Sequence, residues 1–179
     1  MVLTNLEMVL GLFPYFLLAF ALLIVGKWFF DLTTPSYKVN QLLTEADNPA
    51  FAVAFAGYMV GLAITISGAF FSFGSDIGMN VLNIAVAGGA GLLLLRFGML
   101  INDKLVLYKF KTSKEIVQDR NSGTGFVLGG SFVATGFILA GVMSGESPDV
   151  LTSLRDILIY WAVGQALLIL SGLVFHWIT

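Results

Sequence analysis

The sequence contains no cysteine and only one histidine, and both shortages exclude whole classes of site. Without cysteine the chain has no disulfide, no thiolate metal centre and no cysteine nucleophile. His176 alone cannot build a multi-histidine metal centre. The residues form no catalytic triad, and the densest glycine run, at 87–91, lies inside an apolar segment where it cannot cradle phosphate. We therefore predict no metal, no cofactor and no enzymatic activity.

Charged residues are also scarce. They make up 11% of the chain, whereas hydrophobic residues make up 58%. A soluble domain carries roughly 25% charged residues. A protein of this composition cannot cover its surface against water, so the surplus apolar surface requires lipid as its solvent. The net charge of -2 gives no basis for binding nucleic acid.

Long apolar runs are the main feature that the sequence does have. Each is close to the roughly 20 residues that a helix needs to cross the hydrocarbon layer. None alternates apolar with polar residues, as a membrane barrel strand would. We predict an all-α, polytopic transmembrane helix bundle that forms a single domain over residues 1–179. Its five spans are expected at about 8–30, 49–73, 80–101, 123–143 and 157–177.

The distribution of lysine and arginine over the connections predicts the orientation in the membrane. With five spans, the first and third connections share one side and hold nearly all the basic residues, whereas Arg155 is alone on the other side. These basic residues are Lys27, Lys38, Lys104, Lys109, Lys111, Lys114 and Arg120. We expect a bacterial inner-membrane protein with the N-terminus outside, the C-terminus in the cytoplasm and a first span that is retained rather than cleaved as a signal.

The third connection, at 102–120, is the most basic part of the chain. It can continue the third span as a helix, lie on the anionic inner leaflet, or form a solvated loop. We favour the solvated loop, which only has to set the topology. We expect a cytoplasmic protein partner or lipid headgroups to contact its basic residues, which are Lys104, Lys109, Lys111, Lys114 and Arg120.

An internal repeat emerges when the sequence is shifted by 73 positions, which places Asn48 on Asn121 and Gly57 on Gly130. The shift aligns small residues of spans two and three with small residues of spans four and five. We predict two parallel two-helix repeats, at 48–101 and 121–179, related by a pseudo-two-fold axis along the membrane normal. Span one and its connection, at 1–47, precede them as an extra N-terminal part.

Small residues spaced four apart recur within the spans and predict close helix crossings. In lipid there is no hydrophobic drive between helices, so close backbone contact has to supply the association. The pattern does not distinguish crossings within one chain from crossings between copies. The helix-packing residues that we predict are Gly57, Gly61, Gly91, Gly125, Gly129, Gly130 and Gly164.

Three amide side chains are candidates for functional polar groups. Asn48 and Asn121 open the two repeats. Asparagine is a favoured N-cap, so we prefer capping to the alternative of lining a cytoplasmic mouth. Gln165 lies near the middle of span five and must find a partner there, with pore or ligand lining as the alternative. The expected partners across the helices are Thr65, Ser131 or Thr135.

Polar residues at the outer ends of the spans predict a hydrated vestibule, formed by Asn80, Asn83, Arg155 and Asp156. At the opposite side, Arg96 lies about one turn inside the end of span three. Its long stem lets the charge reach the lipid headgroups. We prefer that explanation to a substrate or voltage-sensing role.

The residues around the first connection resemble a known family. They are the Thr33-Thr34-Pro35 stretch, the segment 42–48 and the following helix with its glycines. Together they are similar to the YjfL-type bacterial inner-membrane proteins, the family of domain of unknown function 350, over roughly residue 20 to the end. The family's repeated element GN-x-A-x-A corresponds to 48–52 and 121–125, and Asp47 and Arg120 stand where the family has glycine. The resemblance implies a small multi-span protein, sometimes linked with envelope stress, without an established activity.

These observations favour a non-enzymatic protein that works as a homo-oligomer in the lipid bilayer. We expect a scaffold or regulatory subunit of an envelope-maintenance system. The alternative is a small ion or solute channel formed by oligomerised parallel repeats. A continuous polar lumen would favour the channel, and a solid or apolar centre would favour the scaffold.

Overall fold

The computed structural model describes residues 2–34, 37–105, 111–145 and 149–178, and this part of the chain is built from helices. The long helices are α1 at Val2–Thr33, α2 at Pro49–Phe70, α3 at Ile77–Leu105, α5 at Ser122–Met143 and α6 at Val150–Ile178. A π-helical turn at Gln41–Glu45 precedes α2, and the short helix α4 at Thr112–Val117 precedes α5.

Five helices are long and apolar enough to cross a membrane, so the predicted all-α class and the five spans are confirmed. Three helices are longer than predicted. α1 extends beyond 8–30 at both ends, to Val2–Thr33. α3 continues past residue 101 to Leu105, and α6 begins at Val150 rather than near 157. Hydropathy marks only the part of a helix that lies in hydrocarbon, whereas helical hydrogen bonds continue into the polar residues on either side.

The short connections give the bundle two distinct ends. We use "turn end" for the end that holds the α2–α3 and α5–α6 connections, at 71–76 and 144–149. We use "entry end" for the opposite one, where α1 and α3 finish and α2 and α5 begin. The described parts of the connections at 34–48 and 106–121 both belong to the entry end.

Helices α2 and α5 form the centre of the bundle. They run side by side in the same direction, since Ala50 lies against Gly125 near the entry end and Gly68 lies against Ala140 near the turn end. α3 packs on both helices, α1 packs on α2 and α3, and α6 packs on α5 and α3. The edge helices α1 and α6 therefore leave most of their apolar side chains exposed to lipid.

Glycine allows α2 and α5 to approach until their backbones touch. A Cβ added at Gly61 would lie 2.5 Å from the carbonyl oxygen of Phe132, and one at Gly136 would lie 2.5 Å from that of Gly61. The other glycines that face backbone across this contact are Gly57, Gly68, Gly125 and Gly129. Close main-chain contact of this kind supplies dispersion and Cα–H···O interactions, which hold helices together in lipid.

The other predicted packing glycines have different surroundings. Gly91 faces the side chain of Leu62, and Gly164 faces that of Ile138. Among the described residues, none lies within 4 Å of the place where a Cβ of Gly130 would be. The face of α5 that contains Gly130 is therefore open.

The two central helices do not meet as a two-fold axis requires. Such an axis would bring the same face of both helices together. Instead, α2 uses the face of Gly57 and Gly61, whereas α5 uses the face of Gly129 and Gly136. The 73-position shift places those two α5 residues on Ala56 and Ala63, which lie on another face of α2. The sequence repeat stays a prediction, and the contact between its halves is head-to-tail.

Aromatic rings fill the space between α1 and the central pair. The ring of Phe30 in α1 lies 5.3 Å from that of Phe55 and 5.0 Å from that of Tyr58, and Tyr58 lies 5.4 Å from Phe132 of α5. The buried hydroxyl of Tyr58 donates to the carbonyl oxygen of Gly26 at 3.2 Å, which satisfies it away from water. The described core is therefore filled by packed rings and main chain.

Candidate functional site

Asn48 begins α2 and also holds α4 against it. Its Oδ1 accepts a hydrogen bond from the backbone N–H of Phe51 at 3.0 Å, so the side chain is an N-cap. Pro49 follows at the first helical position, where no N–H is needed. The Nδ2 of Asn48 donates to the carbonyl oxygen of Ile116 at 2.8 Å. Because Asn48 is only 2% exposed, both bonds are shielded from water.

Asn121 caps α5 in the same way but is exposed. Its Oδ1 accepts from the backbone N–H groups of Gly123 and Thr124 at 3.0 and 3.3 Å. Its Nδ2 donates to the carboxylate of Glu115 at 2.9 Å. The capping interpretation fits the geometry of both asparagines, and Asn48 alone adds a bond between distant segments.

The segments that lead into α2 and α5, at 38–48 and 111–121, make equivalent backbone hydrogen bonds, and we name them the entry turns. In the first entry turn the N–H of Asn48 donates to the carbonyl oxygen of Leu42 at 3.0 Å. In the second entry turn, the N–H of Asn121 donates to the carbonyl oxygen of Glu115 at 2.8 Å. Both bonds close a turn wider than that of an α-helix. The 73-position shift placed the start of the repeat at the asparagines and missed these turns. The two entry turns have different side chains but the same backbone hydrogen bonds.

The residue before each capping asparagine has a left-handed backbone. φ is 45° at Asp47 and 51° at Arg120. Glycine adopts this conformation without strain, which explains why the family pattern has glycine at these two positions. Arg120 gains a compensating contact, since its Nη2 donates to the carbonyl oxygen of Ala46 at 2.8 Å and so joins the two entry turns.

Replacement of Asp47 by glycine is expected to stabilise the protein by about 0.5–1 kcal/mol. The left-handed conformation costs an L-residue about 1–2 kcal/mol, and the greater chain entropy of glycine removes part of that gain. The measurement is unfolding in mixed micelles titrated with SDS. Ala46→Gly is the matched control, because φ is -90° at Ala46 and glycine should bring no gain there. Equal destabilisation by both variants would contradict the explanation.

Arg96 is buried inside the entry end, and the prediction that its charge reaches the headgroups was wrong. Its Nη2 donates to the carbonyl oxygen of Thr33 at 3.1 Å and to the hydroxyl of Thr34 at 2.8 Å. Its guanidinium carbon lies 4.5 Å from the ring centre of Phe30. A cation at the C-terminal end of α1 meets the negative end of the helix dipole. Arg96 therefore joins α3 to the end of α1. The residues around Arg96 in the sequence do not predict this contact.

Tyr37 is buried next to Arg96, between α1 and the first entry turn. Its ring lies 5.5 Å from that of Phe51. Burial raises the pKa of the Tyr37 hydroxyl, the charge of Arg96 lowers it in part, and that of Asp103 raises it again. The hydroxyl therefore stays protonated at neutral pH and adds no charge to this buried region.

The basic residues of the third connection lie on the surface. The exposed ones are Lys104, Lys111, Lys114 and Arg120. Lys109 lies outside the described residues. The described parts of the connection are helical at 102–105 and 112–117, rather than the solvated loop that we favoured. Thr112 and Ile116 are buried, which holds α4 against the bundle while its lysines face outwards.

A cavity of about 490 Å³ lies at the turn end, between the α2–α3 connection and the start of α6. Its polar lining includes Ser72, Asp76, Asn80, Asn83, Asp149 and Ser153. Two of the four residues of the predicted vestibule, Asn80 and Asn83, line this cavity, and the vestibule itself stays a prediction. Arg155 and Asp156 lie outside the lining and pair with each other at 2.8 Å.

The polar groups of this cavity have local structural partners. Asn80 is buried, and its amide bonds both backbone groups of Gly74 at 3.0 Å, which closes the α2–α3 connection. Asp76 accepts from the N–H of Met79 at 2.8 Å, as an N-cap of α3. Asp149 accepts from the N–H and hydroxyl of Thr152, and these bonds lower the pKa of its carboxyl.

Gln165 lies between α6, α5 and α3 and is only 2% exposed. Its Nε2 donates to Thr135 Oγ1 at 2.9 Å, one of the three partners predicted. The amide also lies 3.3 Å from where a Cβ of Gly98 would be, so glycine at that position of α3 leaves room for it. Its Oε1 accepts no hydrogen bond from any described residue.

Replacement of Gln165 by leucine is expected to change the free energy of unfolding by less than about 1 kcal/mol, because one interhelical hydrogen bond in lipid is worth about 0.6 kcal/mol. Leucine is also the residue at the repeat-equivalent position 92. A double-mutant cycle with Thr135→Val, measured by SDS titration, isolates the bond. A loss of several kcal/mol would instead reveal a further partner of the amide.

Comparison with known proteins identifies a family whose activity is not established. The family model described as Domain of Unknown Function (DUF350) matches residues 3–143, which include α1 to α5. The chain is 27% identical over 159 residues to a UPF0719 transmembrane protein of Aquifex aeolicus (strain VF5). That alignment covers 88% of this chain and 56% of the relative, so the chain spans about half of the relative's length. No solved structure matches the chain.

The family match and the membrane helices agree with each other. The matched region contains both entry turns, the central pair α2 and α5, and the buried Arg96. The resemblance found in the sequence is therefore confirmed, and the chain is a multi-pass membrane protein that belongs to the DUF350 family.

Proposed function

We propose that the protein is a non-enzymatic structural subunit of a membrane assembly, a scaffold or regulatory subunit of an envelope-maintenance system. The observation that carries this proposal is the backbone contact between α2 and α5 along their length. Helices packed in this way form a stiff unit without space for a polar passage between them. Such a unit suits a building block better than a transporter that has to rearrange around a substrate.

The buried polar groups support the same function. Asn48 bonds α2 to α4, Arg96 bonds α3 to the end of α1, and Gln165 bonds α6 to α5. Each joins two segments that are distant in sequence. In a substrate site, these three groups would instead face the open space that receives the substrate. The residues that sequence patterns single out therefore hold helices in place.

The exposed lysines of the entry end offer a surface for partners. Lys104, Lys111 and Lys114 are all exposed there. In the inner-membrane orientation that we propose, with the N-terminus outside, this surface faces the cytoplasm. It would attract anionic headgroups or an acidic segment of a cytoplasmic protein, each basic residue adding about 1 kcal/mol near a charged leaflet.

Single introduced cysteines test this orientation, since the chain has none of its own. We expect Lys111→Cys to react with a membrane-impermeant maleimide only after the inner membrane is opened. Ser75→Cys, at the turn end, should react in intact cells with a permeable outer membrane. Both side chains are exposed, so reactivity reports sidedness. The reverse pattern would contradict the orientation.

The test of the scaffold function is the mass of the detergent-solubilised protein, followed by conductance in planar bilayers. We expect an assembly of several chains and a conductance no higher than that of the lipid alone. Discrete, ion-selective openings would contradict the scaffold function and assign a channel.

The channel remains the second candidate because of one observation, the polar cavity at the turn end. A vestibule of that kind is what a permeation pathway would begin with. In the same bilayer experiment, Asn83→Leu would reduce a conductance that passes through this cavity.

A further inference from the structure

The face through which α2 contacts α5 has a counterpart on α5 itself, 73 positions later in the sequence, and this counterpart is open. On α2 this face consists of Ala50, Gly57, Gly61 and Gly68. The residues 73 positions later are Gly123, Gly130, Ala134 and Gly141. A Cβ added at Gly130 or at Gly141 would meet no described residue within 4 Å. The second copy of the packing face is therefore unoccupied by the part of the chain that the structure describes.

The face through which α5 contacts α2 likewise has a counterpart on α2, 73 positions earlier in the sequence, and this counterpart is also open. α5 meets α2 through Gly125, Gly129, Gly136 and Ala140. The corresponding residues of α2 are Ala52, Ala56, Ala63 and Ser67. Ala56 and Ser67 are exposed, and the other two are partly exposed. All four are small, so another backbone can approach as closely here as in the internal contact.

An apolar groove adjoins this open face of α2. It lies between α1 and α2, has a volume of about 450 Å³, and its lining includes Ala63 and Ser67. The groove therefore continues the open small-residue face of α2, and a helix packed on that face would also fill the space beside α1.

We propose that a second copy of this chain fills the groove, with the open face of α5 in one copy packed on the open face of α2 in the next. The contact repeats the internal one, so Ala134 would face Ala63 of the next copy as Gly61 faces Gly136 within the chain. This inference rests on the proposed function and deepens it, because it assigns the surface through which the subunits join.

The contact is head-to-tail, because two different faces meet. α2 and α5 are parallel, so successive copies keep one orientation in the membrane, and a head-to-tail contact that closes gives a ring. Val60 on α2 and Phe137 on α5 are exposed. With about 100° of rotation per residue, each lies between the occupied and the open packing face of its helix. They would point to the centre of the ring and make it apolar.

Cysteine cross-linking tests the contact in membranes. Ala134→Cys and Ala63→Cys are made as separate variants of a chain that has no other cysteine. After oxidation with copper phenanthroline, we expect disulfide-linked dimers when the two variants are co-expressed, and background levels when either is expressed alone. A chain with both substitutions should give a ladder of bands whose upper limit counts the subunits.

The outcomes separate this contact from its alternatives. Cross-linking of either single variant alone indicates a symmetric contact and overturns the proposal, as does a mixture that fails to cross-link. The control pair is Gly89→Cys with Ala63→Cys, which should stay uncrosslinked, because Gly89 lies on α3 and belongs to neither of the two faces that the proposal brings together.

Gly130→Leu tests the same contact without cysteine. The side chain has room within the chain, so the melting temperature should move by no more than a few degrees while the solubilised mass falls to that of one chain. Gly89→Leu should leave the mass unchanged. An assembled wild type that Gly130→Leu does not dissociate overturns this interface alone. A wild type that is itself monomeric in the membrane overturns the scaffold function as well.

Discussion

Replacement of Gly61 by alanine is expected to destabilise the protein by about 1–3 kcal/mol, the cost of inserting a methyl group into a filled contact. The added Cβ would lie 2.5 Å from the carbonyl oxygen of Phe132 and 2.9 Å from its carbon, and both atoms belong to the backbone of α5. Backbone cannot rotate away as a flexible side chain can, so the two central helices have to separate. The measurement is SDS titration in mixed micelles, followed by tryptophan fluorescence.

Gly89→Ala is the matched control for this prediction. Gly89 is also in a membrane helix, but its Cβ would meet none of the residues that the structure describes within 4 Å. Alanine there is expected to be neutral or to stabilise by up to about 1 kcal/mol, through its higher helix propensity. The chain already has alanine at 134, the repeat equivalent of Gly61, on the open face of α5. Equal effects at 61 and 89 would show that α2 and α5 are not in backbone contact.

Replacement of Asn48 by alanine is expected to cost about 2–4 kcal/mol, about 1 for the lost N-cap and about 1–3 for the buried carbonyl group of Ile116 that loses its donor. The same change at Asn121 should cost only about 1 kcal/mol, because that side chain is exposed and water replaces its bond to Glu115. The two residues occupy equivalent places in the sequence repeat. The difference in unfolding free energy between the two variants therefore measures the bond to α4.

Asn48→Asp separates the two roles of Asn48. Aspartate can still accept from the N–H of Phe51, but it has no donor for the carbonyl oxygen of Ile116. We expect the Asn48→Asp variant to keep the N-cap hydrogen bond from Phe51 and to lose the hydrogen bond to Ile116. It should therefore be less stable than the wild type. It should also increase hydrogen exchange in α4. An aspartate variant as stable as the wild type would show that the hydrogen bond from Asn48 to Ile116 contributes nothing to stability.

The spans were predictable because hydropathy is a local property. Each apolar run has to be a helix in lipid, since every backbone group must be bonded within its own segment. The N-caps were predictable for the same reason, because Asn48 bonds to an N–H only three residues away. The family resemblance was carried by these local elements too.

The role of Arg96 could not be predicted from its neighbours in sequence. The hydrophobic pattern places it near the end of a span, where snorkelling and burial are equally compatible with its position. The structure brings it to the end of α1, 63 residues away, where Thr33 and Thr34 accept its hydrogen bonds. Of the four residues of the predicted vestibule, Asn80 and Asn83 line the turn-end cavity, whereas Arg155 and Asp156 pair with each other outside its lining, because the direction of a side chain depends on the rotation of its helix.

The sequence by itself determined that this chain is a membrane protein, how many spans it has, which residues begin its central helices and to which family it belongs. The first three follow from short-range hydrogen bonding and from the length of the apolar runs, and the family follows from the similarity of residues 3–143. Only the tertiary structure decided which face of each glycine-bearing helix is used. Small residues permit close approach on several faces, and the choice is made by the long-range packing of α2 on α5, which leaves Gly130 open and Gly57 closed.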